Sequence, residues 1–332
     1  MSHRRSAAQA ATALLDDLSE QARTGQARPA PPLPTGFRPL DQTLSGGIRP
    51  GELVLVGGHP GVGKTIATLQ WARNMAWRGA AVLYACYEHE ELDLLARLAL
   101  LEAGEPDDQV RNPSARLRAA VTAVEAAGGA LREHLHTGPV LGAVRERMDF
   151  YADRLWLARA IGSSTGVAEL DEMVTAAAVP VQALFVDYLQ KVSVRPDPGI
   201  EAERIIRVVE GLKDLALRRG IAVIAVAAAD HVGGEDGRLR MSHLRGASAL
   251  AYEGDIAVIL NDKVNAVSKV HLAYDPVRAA RFRDYVVFSL EKNRGGQAHL
   301  DMEFRKDFGR YRFDPEGAFV SERLVDERQV AD

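Results

Sequence analysis

The nine residues GGHPGVGKT at 57–65 constrain what this chain can fold into more than any other stretch. They follow a short apolar run, ELVLVG (52–57), and open a helical pattern, KTIATLQWARNMAWRG. Gly58, Gly61, Gly63, Lys64 and Thr65 fit the spacing G-x-x-x-x-G-K-S/T without a gap, in the strand–loop–helix context that spacing requires. Glycines let successive backbone N–H groups curl around phosphate oxygens, and the helix N-terminus adds partial positive charge at the same spot. Gly58, His59, Pro60, Gly61, Val62, Gly63, Lys64, Thr65 and Ile66 are therefore the expected nucleotide loop. Lys64 would reach the β- and γ-phosphates of a nucleoside triphosphate, and the Thr65 hydroxyl would ligate Mg2+.

The rest of the chain alternates as an α/β fold should. AVLYACYE (81–88), RLWLAR (154–159), VQALFVDYLQ (181–190) and IAVIAVAAA (221–229) read as strands. VAELDEMVTAAA and AERIIRVVEGLKDLALRRG read as helices, the second with Ile205, Val208, Val209, Leu212 and Leu215 on one stripe. Residues 91–150 are helical by composition. DIAVIL (255–260), YVVFSLEKN (285–293), HLDMEF (299–304) and GRYRF (309–313) follow one another as strands with no long helix between them. The expected fold is a mostly parallel sheet covered by helices and ending in antiparallel hairpins. Residues 34–316 form this domain. Residues 1–33 precede it as a helix with Leu14, Leu15, Leu18 and Ala22 on one face, then a Pro-rich linker that lets the helix dock elsewhere or fold back on its own subunit. Residues 317–332 read as a charged, flexible tail.

Hydrolysis needs a carboxylate for the metal and a base for the attacking water. Asp187 closes the strand ALFVD, and Glu88 closes AVLYACYE, both at the strand ends where ligands sit in open parallel sheets. Asp187 is the expected Mg2+-binding carboxylate, acting through a water. Glu88 is the expected general base, with Glu90 and Glu91 as nearby competitors.

Composition narrows the partners. The formal net charge is -4, so any nucleic acid must meet a local patch or pore rather than a basic surface. A single cysteine, Cys86, excludes a disulfide framework within one chain and suits a reducing compartment. No apolar run reaches the roughly 18 residues of a membrane span, and the N-terminus is too polar for a signal peptide, so the chain reads as cytoplasmic. His134 and His136 alternate in EHLHTG but have no third metal ligand nearby.

PTGFRPLDQTLSGGIRPGELVLVGGHPGVGKT resembles the entry to the ATPase domain of DnaB-like replicative helicases, within the RecA-like P-loop superfamily. VLYACYEHEE, ALFVDYLQKV, LKDLALRRGIAVIAV, LRGASALAYEGDIAVIL and EKNRGGQAHLDMEF follow in that family's order, and the match runs over roughly residues 34–315. The resemblance implies ATP and Mg2+, a homo-oligomeric ring of six with ATP at subunit interfaces, and movement on single-stranded DNA. It makes Arg294 an arginine finger for the neighbouring site, with Lys292 beside it. It places DNA-facing loops at 191–204 and 230–246, where Arg238, Arg240 and Arg245 would contact phosphates and His243 lies among them.

The sequence departs from that family in two places that matter. The family's N-terminal domain has no counterpart, and only the helix at 6–24 resembles its linker helix. The family's polar sensor position falls on Ala228, which cannot hydrogen-bond a phosphate; Asp230 and His231 lie just beyond it. Ile66 also stands where a small hydroxyl residue is common, a change of packing. The departures point to a paralogue of the replicative helicase. The alternatives are a RecA-like regulatory ATPase that switches protein partners without unwinding DNA, and a helicase loader or inactive ring component.

Overall fold

The computed structural model describes residues 10–24, 30–103, 139–229, 237–267, 280–322 and 324. The expected mixed α/β architecture is present. Ten strands form one sheet in the order β10-β8-β7-β6-β1-β5-β4-β2-β3, with β9 paired to β8 off this path. The strands are β1 Leu53–Gly58, β2 Val82–Cys86, β3 Leu155–Arg159, β4 Ala183–Asp187, β5 Ala222–Ala228, β6 Ile256–Asp262, β7 Tyr285–Asn293, β8 Leu300–Asp307, β9 Arg312–Phe313 and β10 Ala318–Phe319. The pairs β1–β5, β1–β6, β2–β3, β2–β4 and β4–β5 are parallel, and β6–β7, β7–β8, β8–β9 and β8–β10 are antiparallel.

The described helices are α1 Ala11–Thr24, α2 Arg38–Thr43, α3 Lys64–Trp77, α4 Glu91–Ala103, α5 Pro139–Asp149, α6 Val167–Ala176, α7 Glu201–Arg219, α8 Ala247–Glu253 and α9 Lys263–Ala266. They cover both faces, which is why the parallel strands read as unbroken apolar runs. Side chains alternate along each strand. Val54, Val56, Phe185 and Ile224 join the core under α3 and α4; Leu53, Leu55, Leu184, Val186, Val223 and Ala225 join the core under α6 and α7.

The entry segment packs rather than dangles. Asp41 accepts from the Thr35 and Gly36 N–H groups, each at 2.8 Å, which turns the chain into α2. Phe37 then enters an aromatic cluster with Trp71, Phe288, Phe304 and Phe313, joining the entry to α3, β7, β8 and β9.

Two expectations change. GRYRF is a 3-10 turn at Phe308–Arg310 and a two-residue strand, because Tyr311 takes a left-handed backbone conformation (φ 55°) that interrupts pairing. The start of the tail is not free: β10 pairs with β8, and Glu322 reaches buried Lys263 at 2.9 Å. Helix α1 is described from residue 11; Leu15 is exposed, and Leu14, Leu18 and Ala22 are not among the described side chains. His134, His136, Asp230 and His231 lie outside the described residues.

Candidate nucleotide site

The loop leaves β1 at Gly58 and enters α3 at Lys64. A Cβ at Gly58 would come within 2.8 Å of the Leu260 carbonyl oxygen, so the close approach of β1 to β6 needs glycine there. Gly61 (φ 79°) and Gly63 (φ 99°) hold left-handed conformations that favour glycine. A side chain at Gly63 would also strike the Phe308 ring at 2.6 Å, whereas nothing lies within 4 Å of a Cβ at Gly61. The loop is thus closed on its Phe308 side and open at Gly61. Pro60 is exposed, while Val62 and Ile66 are buried and fix the two ends to the core. Burial and the Lys64 ammonium push the half-buried His59 below the ordinary histidine pKa.

Three groups converge where the loop meets β4. The Thr65 hydroxyl donates to Asp187 Oδ2 at 2.7 Å, and the Tyr84 hydroxyl donates to the same oxygen at 2.9 Å. Lys64 Nζ donates to the Gly58 and His59 carbonyls at 2.8 and 2.9 Å, standing over the loop's own oxygens. Asp187 is only 2% exposed. Burial pushes its carboxyl up from the usual carboxylate range and pushes the Lys64 ammonium down. A carboxylate and a hydroxyl sharing one point form the hard oxygen set that suits Mg2+. Phosphate oxygens fit the cradle at Gly61 and the Lys64 ammonium.

Glu88 lies two residues past the end of β2, and its side chain is 42% exposed, with Lys191 Nζ at 3.6 Å. Its competitors are engaged elsewhere. Arg159 pairs with Glu90 at 2.7 Å, and its N–H donates to Glu91 at 2.9 Å.

Lys292 and Arg294 sit at the other end of the sheet. Asn293 pairs with Ile256, which pairs with Val54, four positions before Gly58. That spacing is about 13 Å of strand at about 3.3 Å per residue. There Asp255 gathers the Leu53 N–H at 2.7 Å, Lys213 at 2.7 Å and Arg294 Nη1 at 3.3 Å. Arg294 also donates to the Tyr252 carbonyl, and Lys292 to that of Ala251, both at the end of α8. Burial and the Arg294 guanidinium lower the Lys292 pKa.

The three expected DNA cations are all paired with groups of the fold. Arg238 is 7% exposed and is held inside the fold by Asp301 and by Ser289 Oγ, the latter at 2.9 Å. It is a buried, paired arginine because β7 and β8 present those two acceptors. Arg240 pairs with Glu291 at 3.1 Å and Arg245 with Glu201 at 3.5 Å, so both are tied to the fold in this conformation. Sequence reasoning missed Tyr84, Asp255, Gln190 and Lys191. The last two stand three and four residues after Asp187, in the stretch DYLQK; nothing in the sequence marked Tyr84. An open groove of about 540 Å3, lined by Ser164, Thr165, Glu169, Met173 and Arg195 among others, lies apart and includes none of the loop residues.

Residues 32–137 match the model of the DnaB-like helicase C terminal domain. The DNA repair protein RadA of Campylobacter jejuni is 44% identical over 68 residues, 20% of this chain and 15% of that protein. The replicative DNA helicase DnaB of Treponema pallidum is 25% identical over 228 residues, 68% of this chain and 47% of that protein. The chain therefore spans less than half the length of these curated relatives. Among solved structures, an isolated ATPase domain aligns with TM-score 0.70 at 17% identity, covering 92% of this chain and 99% of that one. A DnaB-like replicative helicase, studied with its interactions with primase, aligns with TM-score 0.68 at 18% identity, covering 92% of this chain and 67% of that one. The chain shares its fold with both of these solved structures.

Proposed function

We propose that this DnaB-like, RecA-fold chain hydrolyses ATP at the interfaces of a homo-oligomeric ring, six subunits by resemblance, and uses that hydrolysis to move on single-stranded DNA. The observation that carries the reading is the placement of Lys292 and Arg294 at the sheet end opposite Gly58. A cation there lies about 13 Å of strand from its own phosphate loop, and the Arg294 side chain is half exposed, which supports a role toward a phosphate on another subunit. Lys64 and the loop N–H groups would hold the β- and γ-phosphates, and Mg2+ would be held by Thr65 and, through a water, by Asp187. When bound, the metal neutralises phosphate charge and orients the γ-phosphoryl group. Glu88 accepts a proton from the attacking water as the water oxygen bonds to the γ-phosphorus and the bond to the ADP oxygen breaks. Arg294 of the adjacent subunit stabilises charge on the transferring group.

A regulatory ATPase that switches protein partners is the second reading. The buried Arg238, the paired Arg240 and Arg245, and Ala228 at the polar sensor position favour it. ATP hydrolysis at fixed salt, with and without single-stranded DNA, separates the two. A several-fold stimulation by DNA, lost with hydrolysis in Arg294→Ala, is the expected result. An Arg294-dependent rate indifferent to DNA would put the regulatory reading first.

A further inference from the structure

The turn after Asp187 carries neighbouring side chains to two different places. Leu189–Lys191 is a single 3-10 turn, anchored by buried Leu189. Gln190 faces the end of β5. Its Oε1 accepts from the Ala228 N–H at 3.0 Å, and its Nε2 reaches the carbonyls of Ala228 and Arg245, each at 3.5 Å. Lys191 faces Glu88, with its Nζ 3.6 Å from the carboxylate and 5.2 Å from the Tyr188 ring centroid. One turn therefore touches the segment after β5 through Gln190 and the candidate general base through Lys191.

We infer that Lys191 restrains Glu88 in the DNA-free subunit, and that Gln190 ties this restraint to the segment around Arg245. The inference deepens the helicase reading and rests on it. Lys191 and Gln190 act here as positioning residues, and the turn takes over the coupling that a polar side chain at Ala228 would supply.

The chemistry follows from the contacts. A carboxylate drawn toward an ammonium group 3.6 Å away is less available to meet a water and take its proton. Both side chains of the pair are about two-fifths exposed, at 41% and 42%. Such a pair is weak and easily exchanged, as a restraint that must be released in every cycle has to be. A DNA phosphate is a fitting competitor for the lysine. Lys191 opens the loop run that also carries Arg195, so an anion entering that run meets Lys191 at its root. The other acidic residues beside Glu88 already have Arg159, which leaves Lys191 as the ionic partner of Glu88 among the described residues. Gln190 bonds only backbone groups, so a shift of the Arg245 segment against β5 is passed to the turn whatever side chains that segment carries.

The test is steady-state ATP hydrolysis by the full chain, with kcat and KM resolved, without DNA and with saturating oligothymidylate. The variants are Lys191→Ala, Lys191→Arg and Gln190→Ala, each checked for a cooperative thermal melt. Lys191→Ala should raise the DNA-free kcat several-fold, leave KM for ATP unchanged and bring the stimulation ratio toward one. Lys191→Arg should restore both low DNA-free kcat and stimulation. Gln190→Ala should lower the stimulation ratio. A folded Lys191→Ala protein with the parent DNA-free kcat and ratio overturns the inference, as does one that is dead in both states. If the parent protein ignores DNA yet Lys191→Ala still raises kcat, the restraint stands and the DNA part of the proposed function fails. If the parent is stimulated and Lys191→Ala matches it, the function stands and the restraint fails.

Discussion

At the scale of residues, the site turns on how one buried carboxylate is held. Asp187 Oδ2 takes hydrogen bonds from both Thr65 and Tyr84, and the Tyr84 hydroxyl also lies 2.9 Å from Thr68 Oγ1. Outer partners of a metal ligand set its orientation, and losing one typically costs about 10–100-fold in metal affinity. Tyr84→Phe should therefore raise the Mg2+ concentration for half-maximal ATP hydrolysis by about tenfold, with kcat at saturating Mg2+ much less affected. A magnesium titration of the variant checks this, and an unchanged midpoint would show that Tyr84 serves packing alone. Asp187→Asn should remove most activity at any Mg2+ concentration. The positions of Lys64, Thr65 and Asp187 were legible because loop chemistry and strand-end placement each demand particular residue types. Tyr84 was not, because a tyrosine in the middle of an apolar strand looks like any other core aromatic. The burial of Arg238 was hidden for a related reason. An arginine in a glycine-rich loop looks exposed until Ser289 and Asp301, on strands far along the chain, are seen to hold it.

At the scale of elements, charged contacts lock the helices to one another. Arg73 of α3 donates to Glu102 of α4 at 2.6 and 2.7 Å, and Arg147 of α5 donates to the same carboxylate at 3.0 Å. Glu102 is fully buried, and the Arg73 guanidinium also lies over the Trp77 ring at 4.5 Å. Removing one partner of a buried ionic cluster leaves uncompensated charge, so Glu102→Ala should lower stability by about 3–5 kcal/mol. Chemical denaturation checks it, and a loss below about 1 kcal/mol, the range of a surface pair, would contradict a buried role. Between α6 and α7, Asp171 takes hydrogen bonds from Arg219 at 2.6 and 3.0 Å, which holds its pKa below the usual carboxylate value. A carboxyl with a depressed folded pKa adds stability that is fully present above its unfolded pKa of about 3.9 and is lost as pH falls through the folded value. Asp171→Asn should thus cost under about 1 kcal/mol at neutral pH and nothing in strong acid, read from melts across pH. Strand and helix order was legible from period and punctuation. The ends of the chain were not. Tyr311 breaks β9 through a backbone conformation, and β10 forms because β8 offers an open edge, and neither leaves a pattern in a two-residue strand.

At the scale of the whole molecule, the parallel sheet gives the subunit two poles. The carboxyl ends of β1, β2 and β4 carry the phosphate loop, Glu88 and Asp187; the start of β6 and the end of β7 carry Asp255, Lys292 and Arg294. Under the proposed function these two groups serve one reaction centre, which the register of β1, β6 and β7 then puts between chains. The most direct measurement mixes two inactive proteins: Lys64→Ala, which keeps Arg294 but has a crippled phosphate loop, and Arg294→Ala, which keeps the loop but lacks the cation. If Arg294 acts across an interface, the mixture regains ATP hydrolysis, because a Lys64→Ala subunit supplies its arginine to the intact loop of its neighbour. A mixture of the two proteins, assembled together and still inactive, would contradict the account.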